Sequence, residues 1–193
     1  VSAAVLREDR LPYTDNLVNV VVVAPGSALQ PEGIGVGEIM RVLAPLGTAC
    51  IEEPTAPTID QARRLGLKLE SVEVAGKPWA RFTKPWPREI DEWTHYLHGA
   101  DGNAVAVDEV VGPPMHFQWL SGPKWLRSHE TDSSLRTMVS ARGKLYYILD
   151  EAPVSLAGNH PLPDKWFLVA QDAFNGVRLW KVPIRRWGWR EWK

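Results

Sequence analysis

The chain has 193 residues, 45% of them hydrophobic, enough for one ordinary domain or two small ones. Its 22 Lys and Arg against 23 Asp and Glu leave no net field to draw it to nucleic acid or to an anionic membrane. The lone Cys50 excludes an internal disulfide and a thiolate cluster.

No apolar run reaches the roughly 20 residues of a membrane helix, and VNVVVVAPGSA is too short, without a basic flank, for a signal peptide. The opening VSAAVLRED carries no initiator Met and reads as the start of an excised or incomplete piece of a longer chain. Leu17 to Val23 then reads as a strand, and its unbroken run Val20 to Val23 suits a sheet covered on both faces. Gly35 to Leu43 reads as a helix, with Val36, Ile39, Met40 and Leu43 at helical spacing and Pro45 and Gly47 as its stop.

GTACIEE, from Gly47, reads as a second buried strand, parallel to the first, with Cys50 as a small buried residue rather than a nucleophile. TIDQARRLGL follows as a helix with Thr58 as N-cap and Gly66 as terminator, and KLESVEVAG and PWARFTKP read as paired strands about a Gly76 turn. Strand, helix, strand, helix and hairpin make an α/β pattern.

After KPWPREIDEWTHYLHGADGNAV, rich in Pro, Trp and turn residues, the period shortens to that of strands. HFQWLSG reads as one short strand. Two more flank the Arg142-Gly143 turn and another two flank Asn175-Gly176, so a four-stranded antiparallel meander is expected over Arg136 to Ile184, with Trp180 packed against the sheet or a neighbour.

Two stretches carry family resemblances. LPYTDNLVNVVVV followed by EIMRVLAPLGTACI resembles the second half of class I S-adenosylmethionine-dependent methyltransferases, over about Leu11 to Lys84. In that family an LP-aromatic-x-D-N loop leads into the fourth strand and E-x-x-R-V-L-x-P-x-G forms the helix and turn before the fifth. The Gly-rich loop and the ribose-holding acid of the family belong to a half this chain does not contain, so cofactor binding by this chain is not expected. Asn19 stands where the family often has an acid, and the acid upstream of LPY is displaced to Glu8 or Asp9.

LVAQDAFNGVRLWKVPI resembles the repeat of pyrroloquinoline quinone-like (quinoprotein) β-propellers, and the resemblance implies that Asp172 and Gly176 shape the turn while Trp180 wedges between blades. PPMHFQWLSGP fits the stray strand such rings take from their N-terminus. The whole combination is similar to large multidomain PQQ-like proteins of environmental bacteria.

The expected fold is therefore α/β plus all-β: residues 1–84 as half of a Rossmann-like methyltransferase sheet, 85–115 as a Trp- and Pro-rich linker, and 116–193 as one propeller blade plus a stray strand. The expected function is a binding or scaffold module, inactive as isolated. The alternatives are part of a quinone-dependent oxidoreductase, using pyrroloquinoline quinone with calcium, or part of a methyltransferase using S-adenosylmethionine. The expected partners are the remaining blades and domains of the parent, and open strand edges favour self-association.

Candidate sites have plain alternatives. Asp91, His95 and His98 fall at i, i+4 and i+7, a metal-binding face if helical, or else an Asp-His hydrogen bond with surface histidines. Asp101 to Asn103 offers the start of a calcium loop or a turn. His129 and Glu130 precede the first blade strand, where polar groups of a full ring would meet a quinone. The ten Trp residues read mainly as packing, with RRWGWREW, Arg185 to Trp192, as a connection to the next blade.

Overall fold

A computed structural model describes residues 9–25, 34–113, 115, 117–127, 133–152 and 165–185. The chain divides into two compact units, Val1–Pro87 and Arg88–Lys193. From Arg88 onward, the stretch read as a linker falls within the second unit.

The first unit holds β1 (Val18–Val23), α1 (Val36–Val42), β2 (Leu43–Glu52), α2 (Ala56–Arg64), β3 (Glu70–Val74) and β4 (Lys77–Thr83), its sheet ordered β1-β2-β4-β3. As expected, β1 and β2 pair in parallel, and β4 runs antiparallel to both β2 and β3. Val36, Ile39 and Leu43 are fully buried, so the helical spacing in the sequence marks the packed face of α1. The helix ends earlier than Pro45, because Leu43 already begins β2.

In α2 the N-cap is Thr55 rather than Thr58: its hydroxyl accepts the Thr58 N–H at 3.4 Å, and Pro57 sits in the first turn, where a missing N–H costs nothing. Gly66 does end the helix, at φ +70. Its N–H donates to the Arg63 carbonyl and that of Leu67 to the Ala62 carbonyl, the paired bonds of a Schellman cap. Leu67 and Ala62 both enter the core beneath it.

The second unit holds β5 (Leu135–Ala141), β6 (Lys144–Asp150), β7 (Trp166–Asp172) and β8 (Arg178–Pro183) in the sheet order β5-β6-β7-β8, antiparallel throughout. This is the expected meander.

The expected fold class is nevertheless wrong. Among the described residues the chain is mostly β, two separate four-stranded sheets with two helices, and shows neither Rossmann-like helical layering nor a propeller. The reason lies in how each sheet is covered. Side chains of α1 and α2 join one cluster with Val23, Ala49, Ile51 and Phe82, all on one face of the first sheet. On the other face Val20 and Val22 are 58% and 63% exposed, so the valine run that suggested two-sided burial is covered on one side only. Cys50 shares that open face and is only partly buried.

In the second unit, the backbone of Trp93 rather than a neighbouring blade lies along the outer edge of β5: the Ser140 N–H donates to the Trp93 carbonyl at 2.7 Å, and the Trp93 N–H donates to Ser140 Oγ at 2.9 Å. The expected stray strand is also absent, since none of the described residues between 115 and 123 is in a strand.

Two hairpins close through two-residue turns with both residues at positive φ, Ala75-Gly76 at 52° and 76° and Arg142-Gly143 at 46° and 71°. Such turns match the twist of the strands they join, but an Ala in this region is crowded by its own Cβ. Ala75→Asn should therefore raise unfolding stability by about 0.5–1 kcal/mol, since Asn tolerates the left-handed region better. A higher urea midpoint at unchanged slope is the expected result, and an unchanged or lower midpoint would refute it.

Candidate functional site

An open groove of about 240 Å³ lies on one face of the second sheet, lined by Leu135 and Met138 of β5, Leu145, Tyr147 and Leu149 of β6, and Gln171 of β7, among others. Strict alternation would not aim Leu135 and Met138, three residues apart, at one side of a sheet. A register shift between Leu135 and Thr137 makes it possible, because the irregularity lets the strand change face.

The opposite wall is the segment Trp119 to Leu126. It is anchored on the β7–β8 loop, where Trp119 Nε1 donates to the Ala173 carbonyl at 2.9 Å and Gln118 Nε2 to the Phe174 carbonyl at 2.8 Å. The polar side chains at the groove are coupled to each other: the Tyr147 hydroxyl donates to Gln171 Oε1 at 2.6 Å, and Gln171 Nε2 donates to the Gly176 carbonyl at 2.7 Å. Burial pushes the Tyr147 phenol above its ordinary pKa, so it stays neutral and is no nucleophile at neutral pH.

The β7–β8 loop itself is built around Asp172. Its Oδ1 accepts the Phe174 and Asn175 N–H groups at 2.9 and 3.3 Å, and Lys144 Nζ lies 3.2 Å from Oδ2. Gly176 sits at φ +71, whereas Asn175 before it stays out of the positive region. Trp180, 41% exposed, packs across the sheet on Tyr146 with ring centroids 6.1 Å apart. Asp172 and Gly176 thus meet in one turn, and Trp180 lies on the sheet face that carries Tyr146, the face turned away from the groove.

The segment 91–98 is not helical, so the three candidate ligands do not form a face. His98 Nε2 lies 2.6 Å from Asp91 Oδ2, and His95 turns to the Thr94 hydroxyl at 2.9 Å. Asp91 also accepts the Val107 and Glu92 N–H groups, and these bonds, more than His98, hold its carboxyl below the usual range. Its oxygens are therefore occupied in organising the loop that borders β5. Among the described residues no group of three His, Cys, Asp or Glu side chains is placed to hold a metal ion. Asp101 forms a turn, accepting the Asn103 N–H across Gly102 at φ +71. His129, Glu130, Glu8 and residues 186–193 lie outside the described residues.

Two clusters escaped the sequence reading. Arg127 Nη1 donates to Asp150 Oδ2 at 2.9 Å with both side chains buried, while Asp150 Oδ1 accepts the Ala152 and Lys165 N–H groups. Ser134 joins them by accepting the Arg127 N–H through Oγ at 2.8 Å. The partners are 23 residues apart, and no local pattern links them.

In the first unit, Arg41 binds Glu38, Asp15 and the carbonyls of Leu11 and Tyr13, fastening the LPYTD loop to α1. The Arg41 guanidinium holds the Glu38 carboxyl below its ordinary range. Here a signal was available, the i, i+3 spacing of Glu38 and Arg41 on a helix. Beside it, Lys84 Nζ donates to Asn16 Oδ1 and to the Met40 and Leu43 carbonyls, and burial lowers its pKa. These bonds use all three of its donors on the loop and the end of α1, a structural tie.

No protein-family model, curated protein or solved structure matches the chain. No helix among the described residues is long and apolar enough to cross a membrane.

Proposed function

We propose that the chain is a binding or scaffold module without catalytic activity of its own, and that the groove of the second unit is its binding surface. The observation that carries this reading is the lining: mostly apolar side chains, with Ser121 at the wall, Tyr147 and Gln171 hydrogen-bonded to each other, and no charged side chain among the described residues. Such a surface gains free energy by covering apolar area and offers no activated nucleophile or base. The quinoprotein-like and methyltransferase-like motifs supply the rival readings, an oxidoreductase or a transferase whose cofactor this chain would help to hold.

Isothermal titration separates them. Neither S-adenosylmethionine nor pyrroloquinoline quinone with calcium is expected to bind the 193-residue chain saturably, whereas small neutral apolar probes should shift the NMR signals of Met138, Leu145 and Tyr147. One-to-one micromolar binding of either cofactor would put the corresponding enzyme first, and probes that leave the groove signals unmoved would remove the binding reading. The same reading expects self-association through open edges, with β3, exposed along its whole length, as the prime contact.

A further inference from the structure

We propose that the groove takes a small, neutral aromatic molecule, a bicyclic ring carrying a single N–H or O–H donor. The inference rests on the reading of the groove as a binding surface and adds the chemistry of its occupant. Size is the first argument: an apolar cavity of roughly 150 Å³ holds a benzene ring, and about 240 Å³ leaves room for a second fused ring.

The walls are the second. Trp119 and Tyr147 present aromatic surfaces, and Met138 adds a polarisable sulfur, a combination that favours a flat π-system over a branched aliphatic group. Charge is the third. With no Lys, Arg, Asp or Glu among the described residues of the lining, an ionic ligand would lose hydration without compensation from them.

The donor follows from the hydrogen bonds already made. The Tyr147 hydroxyl spends its proton on Gln171 Oε1, and Gln171 Nε2 is engaged with the Gly176 carbonyl. What the pair retains is the acceptor capacity of the phenolic oxygen, beside the second N–H of Nε2 and the second lone pair of Oε1 on Gln171, itself only 2% exposed. A ligand without a donor would desolvate those acceptors and return nothing, while one N–H or O–H would satisfy them.

The test titrates isotope-labelled protein with indole, 1-methylindole and indole-3-carboxylate, following Met138 and Tyr147 by NMR. Indole should bind saturably, 1-methylindole about tenfold more weakly for want of its donor, and the carboxylate more weakly than indole because of its charge. Tyr147→Phe combined with Gln171→Leu, which removes both acceptors, should erase the difference between indole and 1-methylindole. Met138→Lys, at a half-exposed position, should abolish indole binding while the signals of the first unit stay in place.

Equal binding of indole and 1-methylindole would overturn the proposed ligand class while leaving the binding surface standing. Saturable binding of neither would overturn both. Undiminished indole binding by Met138→Lys would show that the ring sits elsewhere and would overturn the assignment.

Discussion

Asp150→Ala is expected to destabilise the second unit by about 3–5 kcal/mol, the loss typical of breaking a buried ion pair from one side. The substitution takes the Asp150 carboxylate from Arg127, 5% exposed, and removes the acceptor that holds the Ala152 and Lys165 N–H groups. Asp150→Asn should fall between the wild type and Ala, because it retains an acceptor oxygen but not the charge. The double variant Arg127→Met with Asp150→Leu should recover only part of the loss, since it removes the buried charge but leaves the Ala152 and Lys165 N–H groups without their acceptor. Urea unfolding followed through Trp166, which sits in β7 beside Asp150, measures each. A loss under about 1 kcal/mol for Asp150→Ala would mean that the pair is solvated and does not hold these chain ends together.

Gly176→Ala should cost about 2–4 kcal/mol through two separable effects. Gly176 lies at φ +71, where a Cβ is crowded by its own backbone, and that Cβ would stand 2.5 Å from the Trp119 ring. The ring cannot give way freely, because its Nε1 is bonded to the Ala173 carbonyl and its face forms a wall of the groove. In a Trp119→Ala background the steric part should vanish and only the backbone part, about 1–2 kcal/mol, should remain. Equal costs in the two backgrounds would show that Trp119 does not press on this glycine. The same variant should weaken indole binding, because displacing Trp119 opens the wall.

What could be read from the sequence depended on how far apart the interacting residues lie. The helical face of α1, the Gly66 terminator, the Arg142-Gly143 turn and the Asp172-Gly176 loop involve residues within a few positions of one another, so their spacing and chemistry suffice. The meander followed because its outer turns are short and each strand pairs with the next. The parallel pairing of β1 and β2 was legible in the same way, as a strand, a helix and a strand in succession. The candidate metal face failed because periodicity alone cannot tell a helix from a loop when Asp91 can bond directly to His98.

By itself, then, the sequence determined the kind of local element at most positions and the turns between them, since backbone preference and nearest-neighbour packing act over short spans. Tertiary structure decided which faces are covered. Val20 and Val22 carry the same side chain as the buried Val23, and only the position of the helices makes one face core and the other open. Tertiary structure also assembled both features on which the expected results rest: the Arg127–Asp150 pair joins residues 23 apart, and the groove depends on a register shift in β5 and on an indole bonded 54 residues down the chain. Contacts of that range are chosen by the free energy of the whole packed unit, which no short window of residues contains.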